Sequence, residues 1–284
     1  MKWTRGTQND DVVDVRGRKT SAAKVGAGGL AAVVVVFVVA QVFGVDISGL
    51  FGGGSSPSSS SSGPEPPTGS GPDPDAEQID FIRFVMKDIQ DTFESKYKEA
   101  GKQYRRAKLN IFRETIDTKC GRSSSAIGPF YCPGDEEAFI DLSFFRDLEQ
   151  RFKSPGRFAQ AYVLAHEIGH HVQTIEGIEK KTRRLGRDKR SQNEASVRQE
   201  LQADCYAGVW GHGAKGRILE IGDLDNALTA ASAIGDDRLQ KQAGVDVDPE
   251  TFTHGTSEQR MKWFRRGFDT GRLDACDTFS AKDL

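Results

Sequence analysis

This sequence of 284 residues has a small net charge, few cysteines and few histidines. Its 39 basic and 41 acidic side chains leave a formal net charge of −2, so no overall field favours nucleic acid as a partner. The chain has four cysteines and five histidines. No two cysteines have the C-x-x-C spacing of a common thiolate zinc site, which makes a zinc site of four cysteines a weak alternative.

Apolar residues make up 37% of the chain, a low share for a globular protein, and one long run of them is uncharged. This run, VGAGGLAAVVVVFVVAQVFGV, covers residues 25–45 and has one strongly polar side chain, Gln41. About 20 apolar residues can span a bilayer as a helix. A cleaved signal peptide usually has ~7–15 apolar residues and a small-residue cleavage site, which is not evident here. The run therefore predicts a transmembrane helix.

The flanks of this run predict its orientation. The first basic residue after it is Arg83, whereas six precede it: Lys2, Arg5, Arg16, Arg18, Lys19 and Lys24. The positive-inside rule then predicts a cytoplasmic tail over residues 1–24 and an extracytoplasmic position for all that follows the helix. Residues 46–75 include a stretch in which 20 of 24 residues are Gly, Ser or Pro, which predicts a disordered, flexible linker. The protein is thus expected in the cell membrane as a single-pass protein.

Composition becomes globular from Ala76, and residues 76–284 predict one extracytoplasmic domain. Apolar spacing close to that of a helix recurs along it. AFIDLSFF, residues 138–145, reads as a short strand followed by the start of a helix, and Thr256 and Gln259 have the spacing of a capping box. We expect a mainly α domain of the α+β class with a small sheet, whose helices cover the stretch from residue 76, 156–175, 192–212, 223–234 and the stretch after Thr256.

The four cysteines lie in this domain. An even number in a domain predicted outside the membrane indicates disulfides. Three pairings are possible; the favoured one joins Cys120 to Cys132 across a short loop and leaves Cys205 for Cys276.

YVLAHEIGHHVQ, residues 162–173, holds three of the five histidines. Residues i and i+4 of a helix lie on one face, so His166 and His170 can direct two imidazoles at one metal ion. Glu167 lies where its carboxylate can reach water at the metal, as in the H-E-x-x-H pattern of zinc peptidases. Gly169 weakens the helix and indicates that another backbone packs closely there. His171 lies on another side of the helix and is expected to be structural or exposed.

A catalytic zinc ion takes three protein ligands, and the third is expected from a separate helix. ELQADCYAGVW supplies Glu200 and, one turn later, Asp204. We favour Glu200 as the third zinc ligand and Asp204 as the acceptor that orients a ligand histidine. His212, His254 and Asp204 remain alternative ligands.

Five motifs together resemble the neutral zinc metallopeptidase family of membrane-anchored bacterial proteins: AHEIGHHVQ, ELQADCYAGVW, CGRSSSAIGPFYCP, FIDLSFF and THGTSEQR. The resemblance covers residues 76 to about 280. It implies a zincin-like domain that binds one catalytic Zn²⁺.

These observations predict hydrolysis of a peptide or protein substrate, with Glu167 as general base. His254 is a candidate catalytic residue that stabilises the oxyanion, although it could instead stabilise its turn. The strand at 138–142 could be a sheet edge that pairs with an extended substrate. Two alternatives stay open: a metal-stabilised binding or scaffold domain without activity, and a zinc amidase that acts on cell-wall peptides.

Overall fold

The computed structural model describes residues 1–17, 72–182 and 188–284. Helices form most of these residues, as the sequence predicts. They are α1 (Ala76–Glu99), α2 (Ser143–Gln150), α3 (Arg157–Ile175), α4 (Glu179–Thr182), α5 (Lys189–Ala214), α6 (Asp223–Ala233), α7 (Asp236–Gln242) and α8 (Ser257–Thr270). The Thr256 side chain accepts from the Gln259 backbone, and the Gln259 side chain accepts in return, which confirms the capping box at the start of α8.

A small sheet packs beside these helices. The strands are β1 (Val12–Asp14), β2 (Lys108–Phe112), β3 (Thr115–Thr118), β4 (Gly121–Ser124), β5 (Phe130–Cys132) and β6 (Glu137–Asp141). Four of them form one sheet in the order β1-β2-β6-β5, with β5 antiparallel to β6 and the other pairs parallel; β3 and β4 form a separate hairpin. The mainly α fold with a small sheet is confirmed. The expectation that β6 forms a sheet edge is wrong for residues 137–139, which lie between β2 and β5. At Ile140 and Asp141, β2 is the one described strand that pairs with β6.

The first residues of the chain pack onto the domain. Strand β1 pairs in parallel with β2, and the backbone N–H of Lys2 donates to the Ile218 carbonyl at 2.8 Å. The Trp3 ring packs edge-on against Phe81, with ring centroids 5.5 Å apart. Residues 1–17 therefore pack against the folded domain.

This packing bears on the predicted membrane topology. One helix that crossed a membrane between β1 and β2 would place the two strands on opposite sides, where they could not hydrogen-bond to each other. A cytoplasmic tail over residues 1–24 and this pairing thus exclude each other within one chain. The predicted membrane helix, 25–45, and most of the predicted linker, 46–75, lie outside the described residues. Among the helices that are described, none has the length and apolar character needed to cross a membrane.

Two helices, α3 and α5, form the centre of the core. Both are buried along most of their length, as expected of helices that neighbouring elements surround. A Cβ atom on Gly169 of α3 would lie 2.9 Å from the Ala203 carbonyl oxygen of α5, which confirms the predicted close approach of a second backbone. A Cβ on Gly208 would lie 2.0 Å from the Phe264 oxygen, so α8 also crosses α5 at backbone contact.

Both favoured disulfides are present. Cys120 bonds to Cys132 and Cys205 to Cys276, with Cα–Cα distances of 5.8 and 5.5 Å. The second disulfide joins α5 to the C-terminal segment and fixes the position of that segment beside the core.

Candidate metal centre

Three of the predicted ligands meet between α3 and α5. His166 and His170 project from one face of α3, and Glu200 comes from α5. One ligand atom of each residue lies within 4.8 Å of the other two. His166 Nε2 is 3.1 Å from Glu200 Oε2, and His170 Nε2 is 3.5 Å from Glu200 Oε1. The structure brings the predicted set together.

This set of donors suits zinc. Two imidazole nitrogens and one carboxylate match known catalytic zinc sites. The two imidazole nitrogens face different oxygens of the same Glu200 carboxylate, and one donor atom of each residue lies close enough to the other two for the three side chains to share one ion. The described residues supply three such ligands, and a zinc ion held by these three alone would have a fourth position for water or substrate, as catalytic zinc sites do.

Asp204 lies one turn after Glu200 and contacts the outer nitrogen of a ligand. Its Oδ1 is 2.9 Å from His166 Nδ1 and accepts from the Tyr162 hydroxyl at 2.6 Å. A carboxylate on Nδ1 fixes the orientation of His166 and leaves Nε2 for the metal. Burial opposes the charged imidazolium, but the hydrogen bonds and charges of Asp204 and Glu200 outweigh it and raise the pKa of His166 to about 10.

Arg260 of α8 is part of the site, and the sequence analysis missed it. This guanidinium is 1% exposed and donates to both Asp204 oxygens, at 2.8 and 2.9 Å. Its Nη2 also lies 4.0 Å from Glu200 Oε2. A signal was available, because Arg260 shares the buried face of α8 with Trp263 and Phe264, and an arginine on such a face needs a buried partner.

A second histidine–aspartate pair lies near the ligands. His254 Nδ1 is 3.0 Å from Asp236 Oδ1, while Asp236 Oδ2 accepts backbone N–H bonds from Thr253, His254 and Gly255. His254 is 9% exposed, and no described residue forms a hydrogen bond with its Nε2. Burial opposes its charge, but Asp236 and then the charge of Glu200 raise the pKa of His254. Asp236 is the second residue that the sequence analysis missed.

Glu167 directly follows His166 in α3 and is not one of the three candidate ligands. Its side chain is 7% exposed, and no hydrogen bond to its carboxylate comes from the described part of the chain. Burial raises the pKa of Glu167, although the nearby His170 and His166 charges act in the opposite direction. A raised pKa suits a carboxylate that takes up and releases a proton.

The other histidines have structural partners. His171 Nδ1 is 3.0 Å from the Tyr131 hydroxyl, and its Nε2 is 2.6 Å from the Arg105 carbonyl oxygen, so it joins α3 to the sheet. His212 Nδ1 is 2.9 Å from the Phe268 carbonyl oxygen. Within the described ranges, neither belongs to the metal-binding group, nor do the alternative ligands His254 and Asp204.

Comparisons with known proteins agree with this geometry. The model of a family described as "Putative neutral zinc metallopeptidase" matches residues 1–279. The uncharacterized protein YpfJ of Escherichia coli K12 is 43% identical over 290 residues, which cover 98% of this chain and 99% of that protein. The uncharacterized protein Rv2575 of Mycobacterium tuberculosis H37Rv is 45% identical over 196 residues, 64% of this chain and 65% of that protein. No solved structure matches. The chain belongs to the neutral zinc metallopeptidase family.

Proposed function

We propose that the protein is a zinc-dependent peptidase that hydrolyses peptide bonds in peptide or protein substrates. The observation that carries this proposal is the largely buried group of His166, His170 and Glu200 with the Glu167 carboxylate beside it, to which no residue in the described part of the chain donates a hydrogen bond. A structural zinc site has no need of such a base, whereas hydrolysis requires a group that moves a proton. Glu167 therefore favours an enzyme over a binding or scaffold domain.

His166, His170 and Glu200 would hold the ion, and Asp204 would orient His166. Zinc in such a site makes water more acidic and polarises a carbonyl group. The Glu167 carboxylate takes a proton from the attacking water and then gives it to the nitrogen of the leaving amine. The raised pKa of Glu167 favours the second of these transfers, because the protonated carboxyl must persist until the amine leaves.

His254 has the position and partner expected of a residue that stabilises negative charge. Asp236 accepts a hydrogen bond from the Nδ1–H of His254. The raised pKa of His254 favours the imidazolium form, in which Nε2 also carries a hydrogen that it can donate. We propose that it donates to the substrate carbonyl oxygen as that oxygen gains charge, which is the role of an oxyanion donor. Asp236 acts through His254 and is a positioning residue.

The test is a comparison of Glu167→Gln with Glu176→Gln, a control at the end of the same helix whose carboxylate pairs with Lys102 at the surface. Both variants and the wild type are incubated with a peptide library that includes cell-wall peptides, with and without a chelator. We expect Glu167→Gln to retain zinc and to lose about 10²–10⁴-fold in rate. Full activity of Glu167→Gln would contradict the proposal, and bound zinc without any hydrolysis in the wild type would favour a binding domain.

We further propose an oxidising compartment outside the cytoplasm for the domain. Its two disulfides support this location, because disulfides are rare in cytosolic proteins. Since β1 pairs with β2, residues 1–17 would share the compartment. In intact cells, a thiol reagent that does not cross membranes should label a cysteine placed at the exposed Gln8 as well as one at the exposed Asp246. Labelling at position 246 alone would contradict this proposal.

A further inference from the structure

The outer nitrogen of His170 contacts a glutamine rather than a carboxylate. His170 Nδ1 lies 2.9 Å from Gln173 Oε1, one turn further along α3. The Gln173 side chain is buried, with 3% exposure. An amide offers a donor on one atom and an acceptor on the other, so its orientation decides which form of the imidazole it accepts.

The Gln173 amide is held in one orientation. Its Nε2 donates to the Gln199 backbone carbonyl at 2.7 Å, and a carbonyl oxygen can only accept. Nε2 must therefore face Gln199, and Oε1 must face His170. An oxygen opposite Nδ1 requires a hydrogen on that nitrogen, which leaves the lone pair of a neutral imidazole on Nε2, the atom that faces Glu200.

A second buried glutamine extends this support. Gln202, which is 2% exposed, accepts from Gln173 Nε2 with its Oε1 at 3.2 Å and donates from its Nε2 to the Cys276 carbonyl at 2.9 Å. The orientation of Gln202 is thus also fixed by a backbone carbonyl. Cys276 is in turn bonded to Cys205 of α5, which holds that carbonyl in place against the helix.

We propose that Gln173 and Gln202 are positioning residues that set the tautomer of His170 and so prepare its Nε2 to bind the metal. The inference rests on the proposed function, in that His170 must bind a metal. It gives the two histidines different supports: a charged Asp204 for His166 and a neutral pair of amides for His170.

The test measures the dissociation constant of zinc by competition with a chelator, the visible spectrum of the cobalt-substituted protein, and the free energy of unfolding without metal. Gln173→Leu is compared with Gln202→Leu and with the control Gln160→Leu. Gln160 also lies on α3 and makes an amide–amide hydrogen bond, with Gln78, away from the ligands.

We expect Gln173→Leu to weaken zinc binding about 10–100-fold, the usual effect of losing a partner of a ligand histidine, and to change the cobalt spectrum. Gln202→Leu removes one hydrogen bond of Gln173 but leaves the bond from Gln173 Nε2 to the Gln199 carbonyl. It should therefore weaken zinc binding about two- to tenfold, the effect of one neutral hydrogen bond. Gln160→Leu should leave zinc binding unchanged.

A purely structural role would lower the free energy of unfolding of the metal-free protein and leave zinc affinity and the cobalt spectrum as in the wild type; this result would overturn the proposal. If Gln173→Leu does not fold, the same two readouts on Gln202→Leu decide. A wild-type protein that binds neither zinc nor cobalt would refute the metal centre itself and this inference with it.

Discussion

Replacing Arg260 with methionine tests the support of the metal ligands from α8. The Arg260–Asp204 pair is buried, with side-chain exposures of 1% and 0%. Methionine keeps an unbranched apolar side chain but removes the charge and both hydrogen bonds to Asp204. A carboxylate that loses its partner inside a protein cannot turn to water, so the charge stays uncompensated.

The magnitude follows from the remaining contacts. Removing one partner of a buried ion pair costs about 3–5 kcal/mol. Tyr162 and His166 would still contact Asp204 Oδ1, so we expect the lower end, about 3 kcal/mol. In a domain of this size, 1 kcal/mol shifts the melting temperature by about 2–4 °C, and the expected fall is about 6–12 °C.

Thermal unfolding followed by circular dichroism, with urea unfolding for the free energy, measures this effect. Arg272→Met is the matched control, since Arg272 pairs with Asp274 at the surface with both side chains well exposed. A surface ion pair contributes at most about 1 kcal/mol. If Arg260→Met unfolds at the same temperature as Arg272→Met, the buried pair does not support the site and the reasoning is refuted.

Two further predictions concern metal binding and the second disulfide. The pKa of metal-free His166 is about 10, so zinc must displace a proton from this side chain when it binds. The affinity of the protein for zinc should therefore rise about tenfold per pH unit from about pH 7 to about pH 9. A zinc affinity that does not change with pH in a chelator competition would contradict this prediction. Replacing Cys205 and Cys276 with serine removes a link between residues 71 positions apart. This change should lower the free energy of unfolding by about 4 kcal/mol. An unchanged midpoint of urea unfolding would contradict that expectation.

Much of the site could be predicted because its signals are local. The i, i+4 spacing places His166 and His170 on one face, and Asp204 follows Glu200 by one turn. These pairs depend only on helical geometry. Gly169 gave the further signal that a second helix lies against the first, and the structure confirms it.

The remaining features depend on contacts between distant parts of the chain. Strand β1 has three residues and pairs with a strand more than 90 positions later, so its own sequence gives no periodicity to detect. Asp236 and His254 are in contact because the start of α7 packs against the turn at residues 253–255. The composition of the chain does not reveal this tertiary contact. Strand β6 was recognised, but its place in the sheet could not be read from an apolar pattern that suits edge and interior strands alike.

The crossing of α5 and α8 at Gly208 has a consequence for how the family can vary. One helix carries Glu200 and the other carries Arg260, and the missing side chain at the crossing sets the gap between them. A single methyl group at position 208 would push the two helices apart and lengthen the contacts of Arg260 with the first helix. Evolution or engineering could thus change the position of Arg260 relative to Glu200 and Asp204 through a residue outside the candidate metal-binding group.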